Sequence, residues 1–247
     1  MRKLIAGNWK MNGLRADGTA LARELAARGR RGPPPCDLLV CPPATLLAEI
    51  AAVLAGSPIA LGGQDCHAEG KGAFTGDISA VMLKDVGCAY VILGHSERRA
   101  HHHETDAMVR AKAMAGLAAG LIPIVCVGES AEQRERDETL TVIGAQVAGS
   151  LPDIAGISQI AIAYEPIWAI GSGRTPKRDE IAEVHAFIRT ALSKRVANPD
   201  AVRILYGGSL NAKNAAEILP IANVDGGLVG GASLDAESFW TIAQAAN

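Results

Sequence analysis

Three side chains of different acid–base character each follow directly on a short apolar run: Lys10 after Asn8-Trp9, His95 after Gly94, and Glu165 after Tyr164. Two further runs end in paired glycines with a serine behind them, Tyr206-Gly207-Gly208-Ser209 and Gly230-Gly231-Ala232-Ser233. An ammonium, an imidazole and a carboxylate brought to one place can move protons. A glycine turn that opens a helix lets backbone N–H groups close on an anion. The combined chemistry is proton transfer on a small phosphorylated substrate. Singly, each feature has an ordinary reading: a strand-end lysine is usually a surface charge, a lone histidine a satisfied structural group, and Gly-Gly a turn. Only their convergence at five strand ends makes them a site.

Convergence requires a particular framework. Apolar runs bounded by Gly or Pro recur at Leu4–Ala6, Leu38–Val40, Ile59–Leu61, Val91–Leu93, Ile122–Val127, Ile160–Ala163, Ile204–Tyr206 and Leu228–Val229. Most are continuous rather than alternating, as in parallel strands covered on both faces. Stretches of helical spacing separate them: Ile181, Val184, Ile188 and Leu192; Leu46, Ile50, Val53 and Leu54; and Met108, Ala111, Ala115 and Ala118. Eight such units of roughly 31 residues match an α/β chain folded as a single (β/α)8 barrel over residues 1–247, eight parallel strands with outer helices. Alternation alone also allows a doubly wound open sheet. In a barrel, reactive groups gather at the C-terminal ends of the strands, which is where the residues above stand. Pro123 lacks a backbone donor and is expected at the first residue of strand five. Residues 64–77 break the rhythm with Gly70, Gly72 and Gly76, and so long a connection is expected to be functional or an interface rather than a loose loop exposing Phe74.

Composition excludes several classes. The 247 residues carry 24 Lys+Arg against 26 Asp+Glu and nine aromatics (Trp 3, Tyr 3, Phe 3), a poor match to nucleic acid, which favours basic, stacking-rich surfaces. The arginines at 28, 30 and 31 precede Pro33-Pro34-Pro35 and read as a solvated helix end. No apolar run approaches the length of a membrane span, and the apolar stretch at the start is too short for a signal peptide. Five cysteines (36, 41, 66, 88, 126), three in apolar runs, read as reduced, buried thiols of a cytoplasmic protein. Neither metal nor cofactor is expected. Gly94-His95-Ser96-Glu97-Arg98 and Gly207-Gly208-Ser209-Leu210-Asn211 both lack the closing glycine of a nucleophile elbow. His103-Glu104-Thr105-Asp106-Ala107 lacks the second histidine of a zinc-protease helix. Gly171-Ser172-Gly173-Arg174-Thr175-Pro176 is neither a dinucleotide nor a Walker loop. The adjacent His101-His102-His103 point in different directions and fit a solvated helix–loop junction.

Segments spread over nearly the whole chain resemble the triosephosphate isomerases. They are Asn8-Trp9-Lys10-Met11-Asn12-Gly13, Gly72-Ala73-Phe74-Thr75-Gly76, Gly94-His95-Ser96-Glu97-Arg98-Arg99, Ala163 to Gly171, Tyr206-Gly207-Gly208-Ser209 and Gly230-Gly231-Ala232-Ser233-Leu234. The resemblance implies cofactor-free interconversion of dihydroxyacetone phosphate and glyceraldehyde 3-phosphate. It assigns Glu165 as general base, neutral His95 as the group that polarises and protonates the enediol oxygens, and Lys10, held by Asn8 and Glu97, as positive charge. It further implies phosphate binding by backbone amides of Gly171, Ser209, Gly230 and Gly231, a lid over Pro166–Pro176, and a homodimer. In that dimer the 64–77 loop, with Phe74 and Thr75, reaches the partner near its Lys10, and Asn12 lies at the interface.

The sequence departs from the family pattern at Arg174-Thr175-Pro176, whose third position is usually alanine. The family's closed lid bonds that residue's N–H to a tyrosine hydroxyl, here Tyr206, and proline has no N–H. His101–His103 also replace a stretch that usually contains an aromatic. Two other readings remain: an aldolase-type phosphate-binding barrel enzyme, for which Lys10 is the only Schiff-base candidate, and a catalytically silent barrel.

Overall fold

The computed structural model describes residues 1–152, 159–170, 174–193, 195–196 and 198–247. Eight strands, β1 (Leu4–Asn8), β2 (Asp37–Cys41), β3 (Ile59–Gly63), β4 (Tyr90–Leu93), β5 (Ile122–Val127), β6 (Ala161–Tyr164), β7 (Arg203–Tyr206) and β8 (Gly226–Val229), pair in chain order. β1 also pairs with β8, so the sheet closes, and every pairing is parallel. Closure decides for the barrel over the open sheet. Seven of the eight expected apolar runs fall wholly in a strand, and Ile160 of the run Ile160–Ala163 stays just outside β6; β1, β2, β3 and β6 run further than expected at their C-terminal ends, to Asn8, Cys41, Gly63 and Tyr164. Those added residues are glycine, asparagine, cysteine or tyrosine, so a purely aliphatic run did not mark them.

The alternation of side chains along each strand sorts the apolar residues into two sets. Leu4, Ala6, Leu39, Ile92, Ile124, Cys126 and Leu205 fill the barrel interior. Ile5, Leu38, Val40, Val91, Val125 and Ile204 point outward beneath the helices. The barrel is therefore packed along its axis, as small parallel barrels are.

Pro123 is the second residue of β5, not the first. On one side β5 pairs with β4 from Ile122 onward, and on the other β6 pairs only from Ile124. Pro123 thus sits just below the start of the β5–β6 ladder, where a missing donor breaks no rung.

Two of the three helical stripes face the core. In the helix Arg178–Ser193, Ile181, Val184, Ile188 and Leu192 are buried. In Leu47–Leu54, Ile50 and Leu54 are buried, with Leu46 in the preceding turn. The third expectation is overturned. The helix Asp106–Ala118 buries Val109, Lys112, Ala113 and Gly116, while Met108 is exposed. Its inward face carries a lysine, because Asp65 and Glu104 neutralise the Lys112 amine there. Pattern reading excludes such a residue from a core face.

Several helix starts are capped by side chains. The Thr105 hydroxyl accepts from the Met108 N–H, Asp235 accepts from Ser238, and Ser130 and Gln133 form a reciprocal capping box, each cap being worth about 1 kcal/mol. The five cysteines are buried and unpaired. Among the described residues no helix is long and apolar enough to cross a membrane.

Candidate active site

Strand β4 stops at Leu93, and the chain turns at Gly94 with φ +64°; a Cβ there would lie 2.7 Å from Val109. The turn delivers His95 to the N-cap of the helix Ser96–His101, where its Nδ1 accepts the Glu97 N–H at 3.2 Å. A ring nitrogen that accepts carries no proton. The proton therefore belongs on Nε2, which lies 2.9 Å from Glu165 Oε1.

Glu165 follows β6. Its backbone N–H donates to Val127 O at 2.7 Å, and its Oε2 accepts the Ser96 N–H at 2.9 Å. Its carbonyl passes so close to Gly128 that a Cβ there would lie 1.8 Å from the oxygen, so this crossing admits only glycine.

Lys10 follows β1 with φ +51°, an uncommon conformation for a residue with a side chain. It is pinned from both sides. Its N–H donates to Asn8 Oδ1 at 3.0 Å, and its carbonyl accepts from Gln64 Nε2 at 2.8 Å, a side chain that also donates to Cys41 O. The Lys10 amine donates to Glu97 Oε1.

These residues meet in a cavity of about 250 Å³ at the C-terminal mouth of the barrel, lined by Asn8, Lys10, His95, Glu165, Ser209, Gly230 and Gly231 among others. Seven of the expected site residues thus come together. Glu97 does not line the cavity; it stands behind, tying Lys10 and offering Oε2 at 3.6 Å from His95 Nδ1. Gly171 lies outside the described residues. Gly230 caps a 3-10 turn, Gly231–Leu234, whose first N–H groups have no partner within the turn. Ser209 is positioned by its hydroxyl, which donates to Ala169 O at 2.6 Å.

Several contributors were not singled out in the sequence. Ile170, Leu210 and Leu228 form an apolar side of the cavity. The Ser96 N–H holds the carboxylate, and Gln64 braces Lys10. Cys126 lies against Glu165 from inside the barrel, and burial pushes its thiol well above the usual range, so it stays neutral there. No local signal points to these, since each acts across long sequence separations.

Electrostatics couple the central pair. Burial by itself would raise the Glu165 carboxyl, but the His95 imidazole, the Ser96 N–H and Lys10 reverse that, and the net direction is downward. Burial opposes a charge on His95, while Glu165 favours one and draws the imidazole upward. That upward pull exists only while the two side chains touch. Substrate seated between them would separate them, leaving the helix N-terminus and burial, both of which favour the neutral ring. The arrangement can hold an anion at Ser209 and Gly230–Gly231, polarise an oxygen with His95 and Lys10, and take a proton with Glu165.

Phe74, Thr75 and Asn12 stand apart from this cavity. Phe74 is 42% exposed and stacks on His67 with ring centres 4.0 Å apart. Asn12 is exposed and donates to Trp9 O. A second cavity of about 680 Å³ opens beside the 64–77 loop, lined by Asp65, His67, Arg98, His102, Met108 and Lys112 among others. His101, His102 and His103 are all exposed at the end of the Ser96–His101 helix.

The family model described as triosephosphate isomerase matches residues 3–246. The chain belongs to the triosephosphate isomerase family. It is 56% identical to the triosephosphate isomerase of Afipia carboxidovorans over 99% of this chain and 98% of that one. It is 55% identical to that of Ruegeria pomeroyi over 99% and 97%. The crystal structure of triosephosphate isomerase from Bartonella henselae superposes with a TM-score of 0.91 at 46% identity, covering 99% of both chains.

Proposed function

We propose that Glu165, His95 and Lys10 carry out the reaction of this family, the interconversion of dihydroxyacetone phosphate and D-glyceraldehyde 3-phosphate. Glu165 takes the proton from the carbon beside the carbonyl, and the bonding pair moves onto the oxygen to give an enediolate. Neutral His95 protonates and deprotonates the two oxygens, and Glu165 returns its proton to the neighbouring carbon. A glutamate base working with a neutral imidazole is the known arrangement in this family. Lys10, braced by Asn8 and Gln64 and ion-paired with Glu97, supplies positive charge to the phosphate and the forming oxyanion. Backbone amides at Ser209, Gly230 and Gly231, with Gly171, hold the phosphate.

The observation that carries the reading is the 2.9 Å approach of His95 Nε2 to Glu165 Oε1 on the wall of a cavity that also holds Lys10 and the glycine turns. A coupled assay on the purified chain with glyceraldehyde 3-phosphate tests it; equal activity in Glu165→Gln would remove Glu165 as the base. The aldolase reading is disfavoured by the engagement of the Lys10 amine with Glu97, and borohydride with substrate should trap no adduct.

The assembly we infer is a homodimer of single-barrel chains. The exposed Phe74 and Thr75 loop, the neighbouring 680 Å³ cavity, and exposed Met11, Leu14, Val81 and Met82 support it. Sedimentation should give twice the chain mass, reduced to one chain mass by Thr75→Arg. Segment 166–176 acts as the lid that excludes water from the enediolate. Five buried, unpaired thiols fit the reducing cytoplasm.

A further inference from the structure

Strand β4 leaves the sheet just before it delivers His95. The last register pair between β4 and β5 is Leu93 with Val125. At the next two positions, Gly94 and Cys126, a side chain takes the place of a rung. Arg99 reaches back from the helix Ser96–His101 and donates its Nε–H to Gly94 O at 2.8 Å and an Nη2–H to Cys126 O at 3.1 Å.

The far side of the guanidinium is fixed as well. Its Nη1 donates to Asp106 Oδ1 at 2.6 Å and its Nη2 to the Ser150 hydroxyl at 2.9 Å, and that hydroxyl donates in turn to Asp106 Oδ1. The side chain is 16% exposed. A planar fork can span two carbonyls and a carboxylate together, and an ammonium on a single stem cannot.

The two carbonyls belong to the backbone that carries the proposed acid and base. Gly94 O is in the peptide leading into His95. Cys126 O is in the peptide leading into Val127, whose own carbonyl accepts the Glu165 N–H at 2.7 Å. The direct contact of His95 with Glu165 is lost when substrate seats between them, and the tie through Arg99 remains. Arg99 does not line the catalytic cavity.

We infer that Arg99 is a positioning residue for the proton transfer: by bridging Gly94 O and Cys126 O it sets the spacing of His95 and Glu165. The inference rests on the reading of those two residues as acid and base. A shift of about 1 Å between reacting groups can cost about 10²-fold in rate.

Arg99→Lys keeps a positive charge beside Asp106 and removes the bridge. Turnover per folded molecule should fall about 10- to 100-fold. The inhibition constant of inorganic phosphate should stay within about twofold, because the anion subsite at Ser209 and Gly230–Gly231 follows β7 and β8. Asp106→Asn loses the ion pair but keeps an oxygen that accepts from Nη1; it should lower the unfolding midpoint and leave turnover unchanged. Wild-type turnover in Arg99→Lys overturns the inference. So does a phosphate constant that rises in step with the loss of turnover, which is general distortion, or an equal loss in Asp106→Asn, which puts the effect in the charge. Wild-type protein supplies a check that needs no variant to fold. The Arg99 Nε–H, followed by ¹⁵N NMR, should exchange slowly with solvent with and without saturating inorganic phosphate, and fast exchange in either state overturns the bridge. An active Glu165→Gln is a different failure: it removes the base itself and leaves nothing for Arg99 to position.

Discussion

One six-residue helix, Ser96–His101, serves two clusters of buried charge, and the clusters are organised in opposite ways. On the side of the proposed active site, His95 and Ser96 face a carboxylate, Glu165, that is 2% exposed and in direct contact with one ionisable base, His95, and a neutral thiol, Cys126. On the other side, Arg98 joins Glu104, Lys112 and Asp65, where Glu104 is equally buried but receives two cations and Lys112 is held by both carboxylates. Glu104 lies below the usual carboxylate range because Lys112 and Arg98 outweigh its burial. A group surrounded by fixed counter-charges is fixed itself. The Glu165 carboxylate, the proposed base, rests instead on one imidazole, one backbone N–H and the neutral Cys126 thiol, with no fixed counter-charge in contact. The same burial thus yields a fastener in one cluster and, in the proposed function, a movable base in the other.

The largest difference should appear on neutralising each carboxylate by its amide. Glu165→Gln should lower turnover by about 10²–10⁴-fold, the usual contribution of a positioned base, while leaving the unfolding midpoint nearly unchanged. If its stability falls as much as its activity, the distinction between base and fastener fails.

A buried titratable group with no counter-charge supplies the next test. His185 is fully buried, its Nδ1 is 3.0 Å from Asn223 O, and burial lowers its pKa to about 4. The unfolded chain protonates this histidine near the ordinary imidazole value of 6.5. Between pH 6.5 and 4 the unfolded state therefore holds a proton that the native state lacks, and stability falls as pH falls. The loss should reach about 2.5 kcal/mol at pH 4.5 relative to pH 7.5. Urea unfolding of the wild type and of His185→Gln at the two pH values isolates it: the variant's difference should be smaller by that amount. Glu104, with its lowered pKa, contributes in a separate window. Its stabilisation is present above the unfolded carboxylate value and disappears only as pH falls through the folded one.

Glu104→Gln should show the inverse of Glu165→Gln. Lys112 keeps Asp65 and Arg98 keeps its own contact with Asp65, so the loss is that of charged hydrogen bonds, about 1.5–3 kcal/mol. Thermal unfolding should drop by roughly 4–10 °C, with turnover per folded molecule within about twofold of wild type. A fall in turnover comparable with that of Glu165→Gln would merge the two clusters.

How far these features were readable in the chain depends on what made each signal. The strands announced themselves because parallel strands are apolar on both faces, and the site because its groups stand at strand ends beside glycine. The inward face of the helix Asp106–Ala118 was misread as Met108, Ala111, Ala115 and Ala118 because the burial of Lys112 depends on carboxylates 8 and 47 residues away. Ser96, Gln64 and Cys126 act through a backbone N–H, a bracing amide and a neutral thiol, none of which has a sequence pattern. Pro123 was displaced by one residue because strand ends depend on where the neighbouring strand starts.

The smallest expected effect concerns Pro176, at the far end of the proposed lid. Pro176 is buried, and the Tyr206 hydroxyl is buried without a hydrogen-bond partner among the described residues. If the proposed lid closes as the family resemblance implies, an N–H at position 176 would offer that hydroxyl a donor, which proline withholds. The missing bond costs roughly 0.5–1.5 kcal/mol. Proline also narrows the conformations open to an undocked lid, which returns roughly 0.4–1 kcal/mol. The two contributions nearly cancel, so Pro176→Ala should change turnover by less than tenfold. A rise beyond tenfold in the alanine variant would show that the proline hinge impairs closure. An unchanged rate with a less stable closed state would show that chain stiffness substitutes for the absent hydrogen bond.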